Sequence, residues 1–241
     1  MVEKNGSGSL GREDKSVTDP YADFKNPNKK KKKKKDPVKP SNPNKAPTHL
    51  TPTGDPAADR ARLRDALLQK LAEVSDDRYK EYWGPGRRQP CMSAVWDRES
   101  GRIYYNHNTK MDVTEESLEP PLKERFKKYD DGDPSWKKLE PETMPNPRGS
   151  DLPDIEVDHG VPGQHAEVRG MNEALRDARS DGRDPDLSEF MVENVKVNKE
   201  GSEGYGDRMA CCENCAQMLD GADGAWDGWD RPYGNKTGFL G

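Results

Sequence analysis

The sequence predicts one small α/β domain carried behind a long disordered basic arm, and three observations lead there. Only 30% of the 241 residues are hydrophobic while 35% are charged, and the chain holds 22 Gly and 20 Pro. Much of such a chain buries too little apolar surface to offset the entropy of ordering it. The charge is also split. Residues 1 to 50 hold 13 Lys and Arg against 6 Asp and Glu, net +7, and the remainder is net −12. Finally, segments of helical and of strand periodicity alternate between residues 55 and 219.

Residues 1 to 54 are expected to be a disordered Lys/Pro-rich linker. Seven consecutive lysines, Lys29 to Lys35, are followed by Pro-Asn and Pro-Thr units with almost nothing apolar to bury. Such a run is a solvated, self-repelling tether, or else a contact for nucleic acid or a membrane surface. The acidic remainder argues against a wide grip on a nucleic-acid backbone, whose affinity comes mainly from Lys and Arg. No apolar run reaches 18 residues, so no membrane span is expected. The N-terminus lacks the apolar stretch of a secretory signal.

The elements follow in order. Residues 55 to 83 hold an N-terminal helix that packs on the domain. Asp55 is its N-cap, Pro56 its first position, and Leu63, Leu67, Leu68, Leu71 and Val74 its apolar stripe to about residue 75. The domain proper is assigned to residues 90 to 241. SAVWDRESGRIYYNHN predicts two short strands joined by a turn at Ser100 and Gly101. Residues 106 to 163 are polar and Pro-rich, a long surface excursion with one helical stretch near 117 to 129. A helix over 165 to 179 places Val168, Met171, Leu175 and Ala178 on one face and ends before Gly182 and Pro185. Phe190, Val192, Val195 and Val197 predict a strand with a break in alternation near Asn194. A Gly-rich loop at 201 to 206 leads into the short helix ACCENCAQML.

Two of these elements carry chemistry. His165 and Glu167 open one helix as HAE, and Cys212 and Cys215 open the other as CxxC, which is the H-x-E and C-x-x-C pattern of zinc deaminases. Zinc takes tetrahedral nitrogen and sulfur ligands, and a catalytic site uses three protein ligands to keep the fourth position open. His165, Cys212 and Cys215 satisfy that count for Zn2+. A helix N-terminus favours thiolates. Glu167, two residues past the histidine, is placed as the proton-carrying acid and base. HxE alone means little, and CxxC alone is equally a redox pair or half of a structural zinc knot. A structural site would need a fourth ligand, for which Cys211, Cys91 and the other histidines are the candidates, although core packing is the default for Cys211. Three clustered cysteines do not make a disulfide framework.

The run HAEVRGMNEALRDAR, then a strand, then MACCENCAQML, preceded by SAVWDRESGRIYYNHN, resembles the YwqJ-like branch of bacterial deaminases found as toxin modules. The resemblance spans about residues 90 to 220. It implies the cytidine-deaminase-like three-layer sandwich, a mixed sheet with helices on both faces and zinc between the starts of two helices. It further implies hydrolytic deamination of a nucleobase, cytosine in nucleic acid, with a free nucleoside as the alternative substrate. A toxin role follows, with a cognate immunity protein as partner, export by a specialised route and action in a target-cell cytoplasm. Asn106 or Asn108 would bind a ribose or base edge, or simply end the strand, and Trp226, Trp229 and Tyr233 would stack on a base or cap the sheet. The chain departs from the pattern in Ala210, where the wider superfamily often has Pro, and in the segment after Leu219, which holds no strand signal.

Overall fold

The computed structural model describes residues 38–88, 90–109, 113–136, 142–144, 155–157, 161–197, 201 and 204–227. The lysine run, His159, Trp229 and Tyr233 lie outside them. Chain contacts divide between Pro37 and Val38. Residues 38 to 54, which composition assigns to the arm, pack onto the domain: Ala46 is buried, its N–H reaches Glu73, and Leu50 N–H bonds Gly101 O at 2.8 Å.

Helix α1 runs Pro56–Ser75, and the Asp55 carboxylate accepts from the N–H groups of Ala57 and Ala58. Short α2 (Pro85–Arg88) precedes β1 (Cys91–Asp97) and β2 (Ile103–His107), then α3 (Pro120–Asp130), β3 (Glu142–Met144) and β4 (Ile155–Val157). Helix α4 (Ala166–Ser180), β5 (Phe190–Lys196) and α5 (Glu213–Met218) complete the order. The fold is α/β. Three antiparallel strands form the sheet β2–β1–β5, and β3 pairs β4 separately. The resemblance implies a mixed sheet; the three strands here are all antiparallel, and parallel pairing enters as one bridge, Met191 to Asp223.

Every residue of central β1 is buried because both its faces are covered. Met92, Ala94 and Trp96 pack with Leu63, Leu67 and Leu71 of α1, whereas Val95 packs with Val168 and Met171 of α4. Each fully buried Val, Leu or Met side chain among these contributes about 1.5–3 kcal/mol. Gly170 lets α4 lie close, since a Cβ there would stand 2.9 Å from Val95 Cγ2.

Strand β5 has no break. Phe190 and Val192 join the α4 side while Met191 and Val195 join the α1 side. The apparent fault at Asn194 arises because each buried face carries one polar residue, Asn194 on one and Glu193 on the other. The excursion from 106 is likewise more than a surface loop: Leu118, Leu122, Phe126 and Trp136 enter the core beside α4 and α5. The segment after Leu219 covers the outer edge of β5, where Val192 N–H bonds Asp223 O at 2.8 Å. Gly224, at φ 93°, permits this approach, because a Cβ there would meet Val192 O at 2.3 Å.

Candidate metal centre

The start of β1 and the ends of β2 and β5 lie together at one end of the sheet, with the first turns of α4 and α5 above them. His165 is the N-cap of α4, extended at φ −82° and ψ 156°, and its side chain makes no cap hydrogen bond. The N–H of Ala166 is satisfied from the end of β2 instead, by Asn108 Oδ1 at 3.0 Å. The imidazole therefore turns to the cysteines, with Nδ1 3.2 Å from Cys212 Sγ and 3.1 Å from Cys215 Sγ. Cys212 is the N-cap of α5, and its sulfur accepts from Cys215 N–H at 3.4 Å.

These three donor atoms lie within 4.8 Å of one another and can hold a metal ion. Tetrahedral zinc, about 2.0 Å from nitrogen and 2.3 Å from sulfur, sets N and S roughly 3.5 Å apart. The observed separations need only a few tenths of an ångström of opening. One nitrogen and two sulfurs suit zinc, and the cluster among the described residues has three members, which leaves a tetrahedral position open. The Cys212 thiol is held well below its ordinary range by hydrogen bonding with Cys215 and then with His165, whereas burial raises Cys215.

Glu167 is 4% exposed, and its Oε2 has no hydrogen-bond partner among the described residues. Burial pushes its carboxyl up, His165 opposes this, and a hydrogen bond from Cys211 also lowers it. Asn194 Nδ2 in turn donates to Cys211 Sγ at 3.2 Å. Ser93 pairs with Asn194 across β1 and β5, and Ser93 Oγ and Asn194 Oδ1 are also buried without a partner among the described residues. An unmet buried polar atom costs about 1–3 kcal/mol, and such atoms gathered beside a metal-ligand cluster mark where a ligand completes the bonding.

The YwqJ-like deaminase family model matches residues 85–223, more than half the chain. The chain belongs to the YwqJ-like deaminase family. No curated protein and no solved structure matches it. Membership supports deaminase activity. The matched span encloses all three strands of the main sheet, α4, α5 and the cluster, and it leaves α1 outside although α1 covers one face of the sheet.

The structure brings His165, Glu167, Cys212 and Cys215 to one place. It gives Asn106 and Asn108 partners on α4: Asn106 Nδ2 donates to Glu173 Oε2 at 3.0 Å, and Asn108 takes the Ala166 N–H. Trp226 packs against the core and donates from Nε1 to Asp220 at 2.8 Å. Sequence reasoning missed Ser93 and Asn194, single polar residues within strands. Cys91, a candidate fourth ligand in the sequence, is buried near enough to feel the charges of Glu167, Cys211 and Cys212. A cavity of about 520 Å³ lined by Leu71, Ser75, Asp77 and Tyr205, among others, shares no residue with the cluster.

Proposed function

We propose that this chain is a zinc-dependent hydrolytic deaminase of a nucleobase, with cytosine in nucleic acid as substrate and His165, Cys212 and Cys215 as the metal ligands. The observation that carries the proposal is the convergence of one imidazole and two sulfurs beside a buried carboxylate whose Oε2 has no partner among the described residues. Zinc held there supplies water activated near neutral pH. Glu167 takes one proton of the attacking water at Oε2 and delivers it to the ring nitrogen, then carries the second water proton to the departing amine, so cytosine and water become uracil and ammonia. Asn194, through Cys211, holds the carboxylate in place. Asn106 and Asn108 act through α4.

The proposal extends to the complete cytidine-deaminase-like sandwich, to residues 90 to 241 as its domain, and to a toxin effector with a cognate immunity protein. Family membership and the lysine-rich arm support it. The test is to incubate zinc-loaded chain with DNA, RNA, cytidine and adenosine and to look for uracil or inosine. Wild type should form product, and Glu167→Gln should lose about 10²–10⁴-fold in rate with zinc content unchanged. No product from any substrate would refute it.

One observation favours a second function, zinc binding for structure alone: Cys91 and Cys211 are buried near Cys212, and Cys211 is also near Cys215. In that case Glu167→Gln alters no activity, and Cys211→Ala lowers zinc affinity.

A further inference from the structure

At the end of β2 a group of cations gathers on one neutral histidine. Arg87 Nε donates to His107 Nε2 at 2.8 Å, which fixes that nitrogen as the acceptor. His107 Nδ1 then donates to Asn108 O at 2.7 Å. Arg169 Nη1 donates to His107 O. Arg87 stacks 4.7 Å over the Trp83 ring, and Trp83 meets His107 edge-on with ring centroids 5.0 Å apart. The two guanidiniums are close enough for the charge of Arg87 to depress Arg169, which burial already lowers and Glu173 partly restores.

Among the described residues nine arginines lie within 4.0 Å of a carboxylate. Arg87 and Arg169, like Arg64 and Arg88, have no such partner there, and these two both bond the same residue, His107. Two like charges held together, one half-buried, cost free energy that a bound anion returns. Guanidinium N–H forks match phosphate oxygens, and an arginine stacked on tryptophan keeps its edge in place for them.

The group also sits at the metal-ligand cluster. His107 leads into Asn108, which bonds Ala166 between His165 and Glu167, and Arg169 lies one helical turn beyond His165. Resting on the deaminase assignment, we propose that Arg87 and Arg169, assembled on His107 beside Trp83, form a phosphate subsite for the substrate. The substrate is then a nucleotide or a nucleic-acid strand in preference to a free nucleoside.

Binding to the 241-residue zinc-loaded Glu167→Gln chain tests this without turnover. Calorimetry with cytidine and cytidine monophosphate, and anisotropy with a labelled cytosine-containing single-stranded oligonucleotide, provide the readouts. The phosphate-bearing ligands should bind about tenfold or more tightly than cytidine. Adding Arg87→Glu should abolish that preference with zinc content unchanged, whereas Arg64→Glu, an equal charge change on α1, should leave it. Loss for the oligonucleotide alone assigns a phosphodiester, and loss for both assigns any nucleotide phosphate. An unaltered preference in Arg87→Glu, or no preference at the start, overturns the proposal. Absence of deamination by wild type with the Arg87→Glu effect intact sinks the deaminase instead.

Discussion

Replacing Asn108 by Ala removes the one acceptor that the structure gives to the Ala166 N–H, because the N-cap residue His165 points its ring at the cysteines. A lost N-terminal cap costs about 0.5–2 kcal/mol, typically ~1. For a unit of this size, ~1 kcal/mol lowers Tm by roughly 2–4 °C. The same change loosens the turn that carries His165, and removing a group that orients a metal ligand weakens metal affinity by about 10–100-fold. Urea unfolding of the zinc-free chain isolates the first effect, and competition for zinc against a chelating dye measures the second. Asn108→Asp keeps the acceptor and adds a negative charge at a helix N-terminus, so it should restore both. Wild-type stability and zinc affinity in Asn108→Ala, or an Asp variant no better than Ala, would refute the role assigned to this side chain.

Three further outcomes follow from the packing and the site. Gly224→Ala places a Cβ against Val192 O in left-handed backbone and should cost about 2 kcal/mol or more in denaturant unfolding. Arg208→Ala strands Glu193, which is 2% exposed and bonded to Arg208 Nε at 2.6 Å; Arg60 and the partial exposure of Arg208 temper the loss to about 2–3 kcal/mol in the same assay. Cys212→Ser should abolish zinc retention through gel filtration and lower the thermal midpoint to that of chelator-treated wild type. Stability unchanged by any of these substitutions would contradict the corresponding contact.

Local signals in the chain marked most elements. Asp55 and Pro56 announced α1, Gly182 followed the end of α4, and HAE with CxxC marked the ends of two helices that meet at the cluster. What escaped was set by tertiary pairing. Asn194 looked like a fault in a strand because alternation is informative only when one face is wet, and both faces of β5 are covered. Leu118, Leu122, Phe126 and Trp136 are too sparse among prolines and charges to betray a core segment, yet they complete the cluster beside α5. The bond from Ala166 N–H to Asn108 Oδ1 escaped because the two residues are 58 apart in the chain and the cap residue is a histidine. Ser93 and Cys91 carry no spacing signal at all; only the β1–β5 register puts Ser93 opposite Asn194.

X-ray absorption at the zinc edge of the loaded chain tests the central claim most directly. Two sulfur and two nitrogen-or-oxygen scatterers in wild type, falling to one sulfur or to no bound zinc in Cys215→Ser, are the predicted result. Three or four sulfurs around the metal would show that Cys211 or Cys91 closes the site, and would contradict a catalytic centre built on His165, Cys212 and Cys215.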